Sequence, residues 1–203
     1  MKAFLSSCHF LVLLFPAVTA VICYHNSLVE NPEYIQGDCE IEGGFCFSRI
    51  TDNHLNVPSR MDSEAGCATN CPKTNYSFTT QGGFYLISST YCCQDVLCNM
   101  DELEKPKLGD FNGRQCEACH APASEGCSGL NTIRCRGAET QCISFVIVHN
   151  DSSISDEIYQ GCATPSFCDL ARNSPYNEHF SGTITNSRCC ETLRSSEQLN
   201  FEG

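Results

Sequence analysis

The cysteines of this chain recur at one offset, and that recurrence limits what it can fold into more than any other feature. They fall in two series. The first is Cys23, Cys39, Cys46, Cys67, Cys71, Cys92, Cys93 and Cys98. The second is Cys116, Cys119, Cys127, Cys135, Cys142, Cys162, Cys168, Cys189 and Cys190. Cys39 and Cys46 each stand 96 residues before Cys135 and Cys142, and Cys71, Cys92 and Cys93 each stand 97 before Cys168, Cys189 and Cys190. Cys67 precedes Cys162 by 95 and Cys23 precedes Cys116 by 93. The word Gly66-Cys67-Ala68-Thr69 returns as Gly161-Cys162-Ala163-Thr164. Seven positions matched at nearly one offset indicate a duplicated unit. We expect a first domain at 21–100, a linker at 101–112 rich in charge, proline and glycine, a second domain at 113–190 and a polar tail at 191–203.

Such a cysteine density, 18 in 203 residues, marks a disulfide scaffold exposed to an oxidising compartment. The first 20 residues read as a secretory signal: Lys2, an apolar run from Phe10 to Phe15, and a small-residue exit at Val18-Thr19-Ala20. The run is too short for a membrane span and is interrupted by Ser6, Ser7 and His9. Residues 193–203 are polar and acidic, so no lipid-anchor signal is expected there. The expectation is a soluble protein outside the cell. Cys8 leaves with the signal, and the 17 cysteines that remain are an odd number, so one thiol is free or bonded to another chain. Loss of Lys2 leaves 11 Lys/Arg against 24 Asp/Glu, an acidic balance that will not hold a phosphate backbone. No nucleic-acid partner is expected. Asn75-Tyr76-Ser77 and Asn150-Asp151-Ser152 are glycosylation sequons, which places Asn75 and Asn150 on the surface.

Short segments rich in β-branched and aromatic residues, bounded by Gly, Asn or Ser, read as strands: Gly44–Ile50, Gly83–Ser88, Gln141–Val148 and Phe180–Thr185. No segment has a sustained helical period. Small antiparallel sheets joined by long loops are expected. Domains this small bury little apolar surface, so each bridge closing a loop of about 20 residues, worth roughly 3 kcal/mol by the loop-entropy argument, supplies much of the stability.

The spacing Cys-x6-Cys, a further cysteine about 20 residues on, and the ending Cys92-Cys93-x4-Cys98-Asn99 resemble the three-finger (snake-toxin-like) domain of the lymphocyte antigen 6 and urokinase receptor (uPAR-like) proteins. The second series carries the matching opening, Asn112-Gly113-x-x-Cys116-x-x-Cys119. The resemblance covers nearly all the chain beyond the signal and implies an all-β fold of two tandem three-finger domains. By position it implies the pairs Cys23–Cys46, Cys39–Cys67, Cys71–Cys92 and Cys93–Cys98, then Cys116–Cys142, Cys119–Cys127, Cys135–Cys162 and Cys168–Cys189. Cys190 is left over, either bonded to a second chain in a disulfide-linked dimer or free. The first domain lacks the small opening bridge, since Tyr24-His25-Asn26 follows Cys23 without a cysteine. The second lacks the closing Cys-Asn.

Two secreted families are most similar: the sodefrin precursor-like factors, which are courtship pheromones, and the gamma-type phospholipase A2 inhibitors. The departures tilt the expectation toward the first, a signal acting on a chemosensory receptor. The alternatives are an inhibitor of a secreted phospholipase A2 and a structural protein linked through Cys190. No enzyme is expected, because no catalytic motif is present and the histidines His25, His54, His120, His149 and His179 sit in none. Cys116, Cys119, Cys127 and His120 have zinc-like spacing, but oxidised cysteines offer no thiolate, so no metal or cofactor is expected. Contacts are expected at loop tips near Asn26–Gln36, Thr51–Arg60, Lys73–Gly83, Ala121–Glu125, His149–Glu157 and Asn173–Phe180, with Tyr34, Tyr76, Tyr159, Tyr176 and Phe180 as candidate anchors.

Overall fold

The computed structural model describes residues 20–27, 35–55, 58–71, 75–101, 103–128, 131–173, 176–177, 180 and 182–194. The secretory signal up to Thr19, Tyr34 and the tail beyond Arg194 lie outside the described residues. The first half contributes β1 (Ala20–Ser27), β2 (Ile35–Glu42), β3 (Phe45–Asn53), β4 (Arg60–Ala68), β5 (Tyr76–Thr80) and β6 (Tyr85–Cys93). The second contributes β7 (Phe111–Pro122), β8 (Asn131–Arg136), β9 (Gln141–His149), β10 (Glu157–Ala163), α1 (Pro165–Asn173), β11 (Tyr176–Asn177), β12 (Gly182–Glu191) and β13 (Leu193–Arg194). The fold is antiparallel β with one short helix.

Strand character follows the side chains. In β9 every second residue, Ile143, Phe145 and Ile147, is buried, and in β3 Cys46, Ser48 and Ile50 alternate inward in the same way. The duplication is kept in register. Cys46, Phe47 and Ser48 of β3 oppose Cys93, Cys92 and Tyr91 of β6, and Cys142, Ile143 and Ser144 of β9 oppose Cys190, Cys189 and Arg188 of β12.

The expected separate small sheets are instead one. Phe78, Thr79 and Thr80 of β5 pair with Ala163, Cys162 and Gly161 of β10, so all thirteen described strands join. Gly161 makes this approach feasible: a Cβ there would collide with the Thr79 carbonyl oxygen. The main apolar core lies at this seam. Tyr76, Phe78 and Leu86 from the first half pack with Phe145, Ile147, Tyr159, Phe167, Phe180 and Ile184 from the second. Phe78 stacks on Phe167 with ring centroids 5.3 Å apart and meets Phe145 edge-on at 5.2 Å. Beyond the seam, the other two core clusters are small and built around cystines.

The helix α1 is a short addition to the expected all-β fold. Thr164 and Pro165 start it: the Phe167 amide donates to Thr164 Oγ1 at 3.3 Å, and proline fits the first helical position, where an amide proton would lack a partner. Its inward face is Phe167, Cys168 and Ala171. Nine residues with three buried positions do not make a sustained period.

The segment between the halves is pinned. Lys105 Nζ lies 3.1 Å from Asp52 Oδ2, and Pro106 is buried. Asp52, only 2% exposed, also accepts from Tyr85 Oη at 2.9 Å and faces His54 Nε2 at 3.0 Å. Burial, then the bond to Asp52 and its charge, push the Tyr85 hydroxyl up to about 12.

Candidate interaction surface

Eight disulfides set the bases of the loops. They join Cys23 to Cys46, Cys39 to Cys67, Cys71 to Cys92 and Cys93 to Cys98 in the first half. In the second they join Cys116 to Cys142, Cys119 to Cys127, Cys135 to Cys162 and Cys168 to Cys189. Cys190 is free and exposed. Sulfurs of Cys23, Cys39 and Cys67, and of Cys116, Cys135 and Cys162, crowd together like metal ligands. All six are in S–S bonds, which leaves no thiolate to hold an ion.

In the first half the closing loop is held by Asn99, which is 4% exposed. Its Oδ1 accepts from the Tyr24 amide at 2.9 Å, and its Nδ2 donates to the carbonyls of Tyr24 at 2.8 Å and Phe47 at 3.0 Å. Ser48 Oγ donates to the Asn99 carbonyl at 3.1 Å, and the Leu97 amide to the Ile22 carbonyl at 2.7 Å. Leu97 sits at φ 54°, turning the chain so that Cys98 meets Cys93 and Asn99 meets β1.

Beside this loop is a cleft of about 270 Å³ lined by Tyr24, Arg49, Met61, Glu64, Met100 and neighbouring residues. Met61 is 55% exposed and Met100 61%, and Asp62, Glu64 and Asp101 stand among them. Arg49 pairs with Glu64 at 3.1 Å. Two large apolar side chains left in water beside acidic groups suit a partner that brings apolar contact and positive charge.

The expected loop tips fare differently. The stretch expected at Lys73–Gly83 is in large part β5, whose five residues are all buried at the seam. There Glu139, fully buried, accepts from Ser77 Oγ at 3.0 Å and Thr79 Oγ1 at 2.7 Å on one oxygen and from the Arg136 amide at 3.0 Å on the other. Burial raises its carboxyl above the usual range, and the bonds from Thr79, Arg136 and Ser77 and the Arg136 charge only partly oppose this. Nothing in the local sequence around Glu139 marked it.

Of the candidate anchors, Tyr76, Tyr159 and Phe180 are corrected: all three are buried in the core rather than exposed at loop tips. Tyr34 lies outside the described residues, and Tyr176 lies on β11. The loop at 150–156 is exposed throughout and carries Ile154, 50% exposed, between Asp151 and Asp156. It is shaped by the Ser153 amide bonding Asp151 Oδ1 at 2.8 Å, which also holds that carboxyl below its ordinary range. Both sequon asparagines are exposed, and Asn75 Oδ1 accepts from the Thr90 amide.

At the base of that loop His120 Nε2 lies 3.0 Å from Glu157 Oε1 and His149 Nε2 3.4 Å from Oε2, while Tyr159 Oη donates to Oε2 at 3.0 Å. His120 also stacks on Tyr159 at 4.3 Å. The His120 bond, more than any other group, lowers the Glu157 carboxyl despite partial burial, and burial followed by the Glu157 charge raises Tyr159. Both Glu157 oxygens are engaged, so the cluster clamps β7, β9 and β10 and is poorly placed to take a substrate proton.

The sequence profile of the u-PAR/Ly-6 domain matches residues 20–101 and again 112–197. A phospholipase A2 inhibitor gamma chain of Elaphe climacophora is 29% identical over 79 residues, 38% of this chain and 39% of that protein. Phospholipase A2 inhibitor NAI of Notechis ater is 31% identical over 111 residues, 53% of this chain and 54% of that protein. Protein RoBo-1 of Rattus norvegicus is 25% identical over 158 residues, 73% of this chain and 59% of that protein. The chain thus spans between about two and three fifths of the length of these relatives.

Proposed function

The chain belongs to the u-PAR/Ly-6 domain family, and from that we propose that it is a secreted, non-enzymatic binding protein that docks on a secreted phospholipase A2. The reading takes the two modules as 21–100 and 113–190, joined by a linker and followed by a polar tail. The observation that carries the reading is the acidic, methionine-bearing cleft of the first half, in a chain of net charge −12 similar to proteins named as phospholipase A2 inhibitors. A basic, apolar-tipped enzyme surface fits it by charge and by burial of Met61 and Met100.

The test is inhibition of a panel of secreted phospholipases by the purified protein. Sub-micromolar inhibition that falls at least ten-fold in the double variant Met61→Asp, Met100→Asp supports the reading. No inhibition by the native protein at ten micromolar overturns it.

A second reading, a sodefrin-like signal for a chemosensory receptor, is favoured by the two departures of the cysteine frame: no opening bridge in the first half and no closing Cys-Asn in the second. It predicts abundance in courtship-gland secretion rather than serum, read by mass spectrometry. A disulfide-linked dimer through exposed Cys190 predicts a band of twice the monomer mass on non-reducing gels that disappears on reduction.

A further inference from the structure

We propose that the second half carries an open seat for a cysteine–asparagine segment of another chain, closed by a disulfide to Cys190. A cleft of about 480 Å³ lies there, lined by Gln115, Glu117, Ile143, Ser144, Arg188 and Cys190 among others. These positions are the counterparts of the seat that holds the closing loop in the first half. The shared strand register makes Cys190 the counterpart of Cys93, Ile143 of Phe47 and Ser144 of Ser48. Cys116 answers Cys23 in the repeat and in its disulfide, so Gln115 and Glu117 answer Ile22 and Tyr24.

In the first half each of those positions is used. Cys93 bonds Cys98, the Tyr24 backbone and the Phe47 carbonyl hold the Asn99 carboxamide, Ser48 holds the Asn99 carbonyl, and Ile22 holds Leu97. In the second half Ser195-Ser196 stand where Cys98-Asn99 would fall. The chain also leaves the other way. Leu193 and Arg194 run extended along β7 against Gln115 and Arg114, moving away from Glu117 rather than toward it. Gln160, which also lines the cleft, donates from Nε2 to Ser144 Oγ at 3.4 Å, and among the described residues Cys190 has no sulfur partner.

The occupant is defined by the copy of the seat that is filled. It is an extended segment with a cysteine that reaches Cys190 and, next to it, an asparagine whose carboxamide gives two donors and an acceptor to the strand below. A second copy of this chain does not qualify, because its Cys98 is bonded to Cys93 and its Asn99 is buried. The partner is therefore a different chain, carrying its cysteine as a mixed disulfide with a small thiol. The Cys190 thiolate attacks the partner sulfur, the Cys190–partner bond forms, the bond to the small thiol breaks, and the small thiol leaves with the electron pair and takes up the proton released by Cys190. The seat is separate from the cleft proposed to meet a phospholipase, so the two readings stand or fall independently.

The probe is the hexapeptide Gln-Asp-Val-Leu-Cys-Asn, the sequence at residues 94–99, supplied as its glutathione mixed disulfide to the intact protein in a glutathione buffer. Peptide capture is read by intact mass and the bonded residue by peptide mapping. The expected result is bonding at Cys190 with an exchange constant at least ten-fold above that of the same peptide ending Cys-Ala. The variant Ser144→Tyr narrows the seat and should reduce capture of the Cys-Asn peptide to the Cys-Ala level. Equal capture of the two peptides would show an ordinary exposed thiol and overturn the proposal. So would a Cys190–Cys190 dimer as the main product, or capture that rises ten-fold only when the chain is ended after Arg194, which would mean that residues 195–203 already fill the seat.

Discussion

At Gly161 the backbone of β10 runs so close to Thr79 that no side chain can stand between them. Gly161→Ala should therefore push β5 and β10 apart and lower stability by about 2 kcal/mol, the usual cost of overpacking a tight site, measured by denaturant unfolding. Glu139 acts at the same seam through chemistry. Its carboxyl takes up a proton in the folded protein at a pH where the unfolded chain has not, so its contribution is fully present at acid pH and is lost as pH rises through the raised value. Stability should increase as pH falls from neutral toward the usual carboxylate range, and Glu139→Gln should flatten that slope. Glu157 has the opposite sign: its lowered carboxyl contributes above the ordinary range, and the contribution is lost at more acid pH as the proton arrives. Thermal scans of the native protein and both Gln variants between pH 3 and pH 8 separate the two windows. Glu139 was not legible in the sequence, because its burial across the seam depends on Ser77 and Thr79, 62 and 60 positions away, whereas Glu157 is held within the second half by His120, His149 and Tyr159.

At the scale of elements, β5 and α1 are what the sequence hid. β5 alternates apolar and polar residues only over Tyr76-Ser77-Phe78-Thr79, and its polar face, which reads as solvent-facing, is covered too: the aromatic core takes Tyr76 and Phe78, and Glu139 takes Ser77 and Thr79. For α1, the pair Thr164-Pro165 was a readable start signal in a segment too short to show a period. Thr164 also ties the helix to β5, since the Ser77 amide donates to its Oγ1 at 3.0 Å. Thr164→Ala should cost about 1.5 kcal/mol by removing the cap and leaving the buried Ser77 amide short of a partner, and Thr164→Ser should recover most of it, both by denaturant unfolding. The strands at Gly44–Ile50 and Gln141–Val148 were legible because alternate side chains there face one core, and β3 and β9 cover them.

For the whole molecule, the duplication could be read from cysteine spacing, and the all-β class from the resemblance to three-finger domains together with the short segments rich in β-branched and aromatic residues. The union of the two halves could not, because nothing in the spacing says that the largest core forms between the repeats. A fragment covering 21–100 would expose Tyr76, Phe78 and Leu86, which the second half covers in the intact chain. It should bind an apolar dye that the intact protein does not, and the intact protein should unfold in one transition reported alike by probes in either half. Among the described residues no helix is long and apolar enough to cross a membrane.

The seam has a last consequence. A tether lets two binding modules search for their targets separately, whereas the pairing of β5 with β10 makes the span from the Met61 cleft to the loop at 150–156 a constant of the molecule. Were one target to meet both, it would be held as in a fixed calliper, without the entropy loss of aligning two tethered modules, and a target of the wrong width would touch a single jaw only.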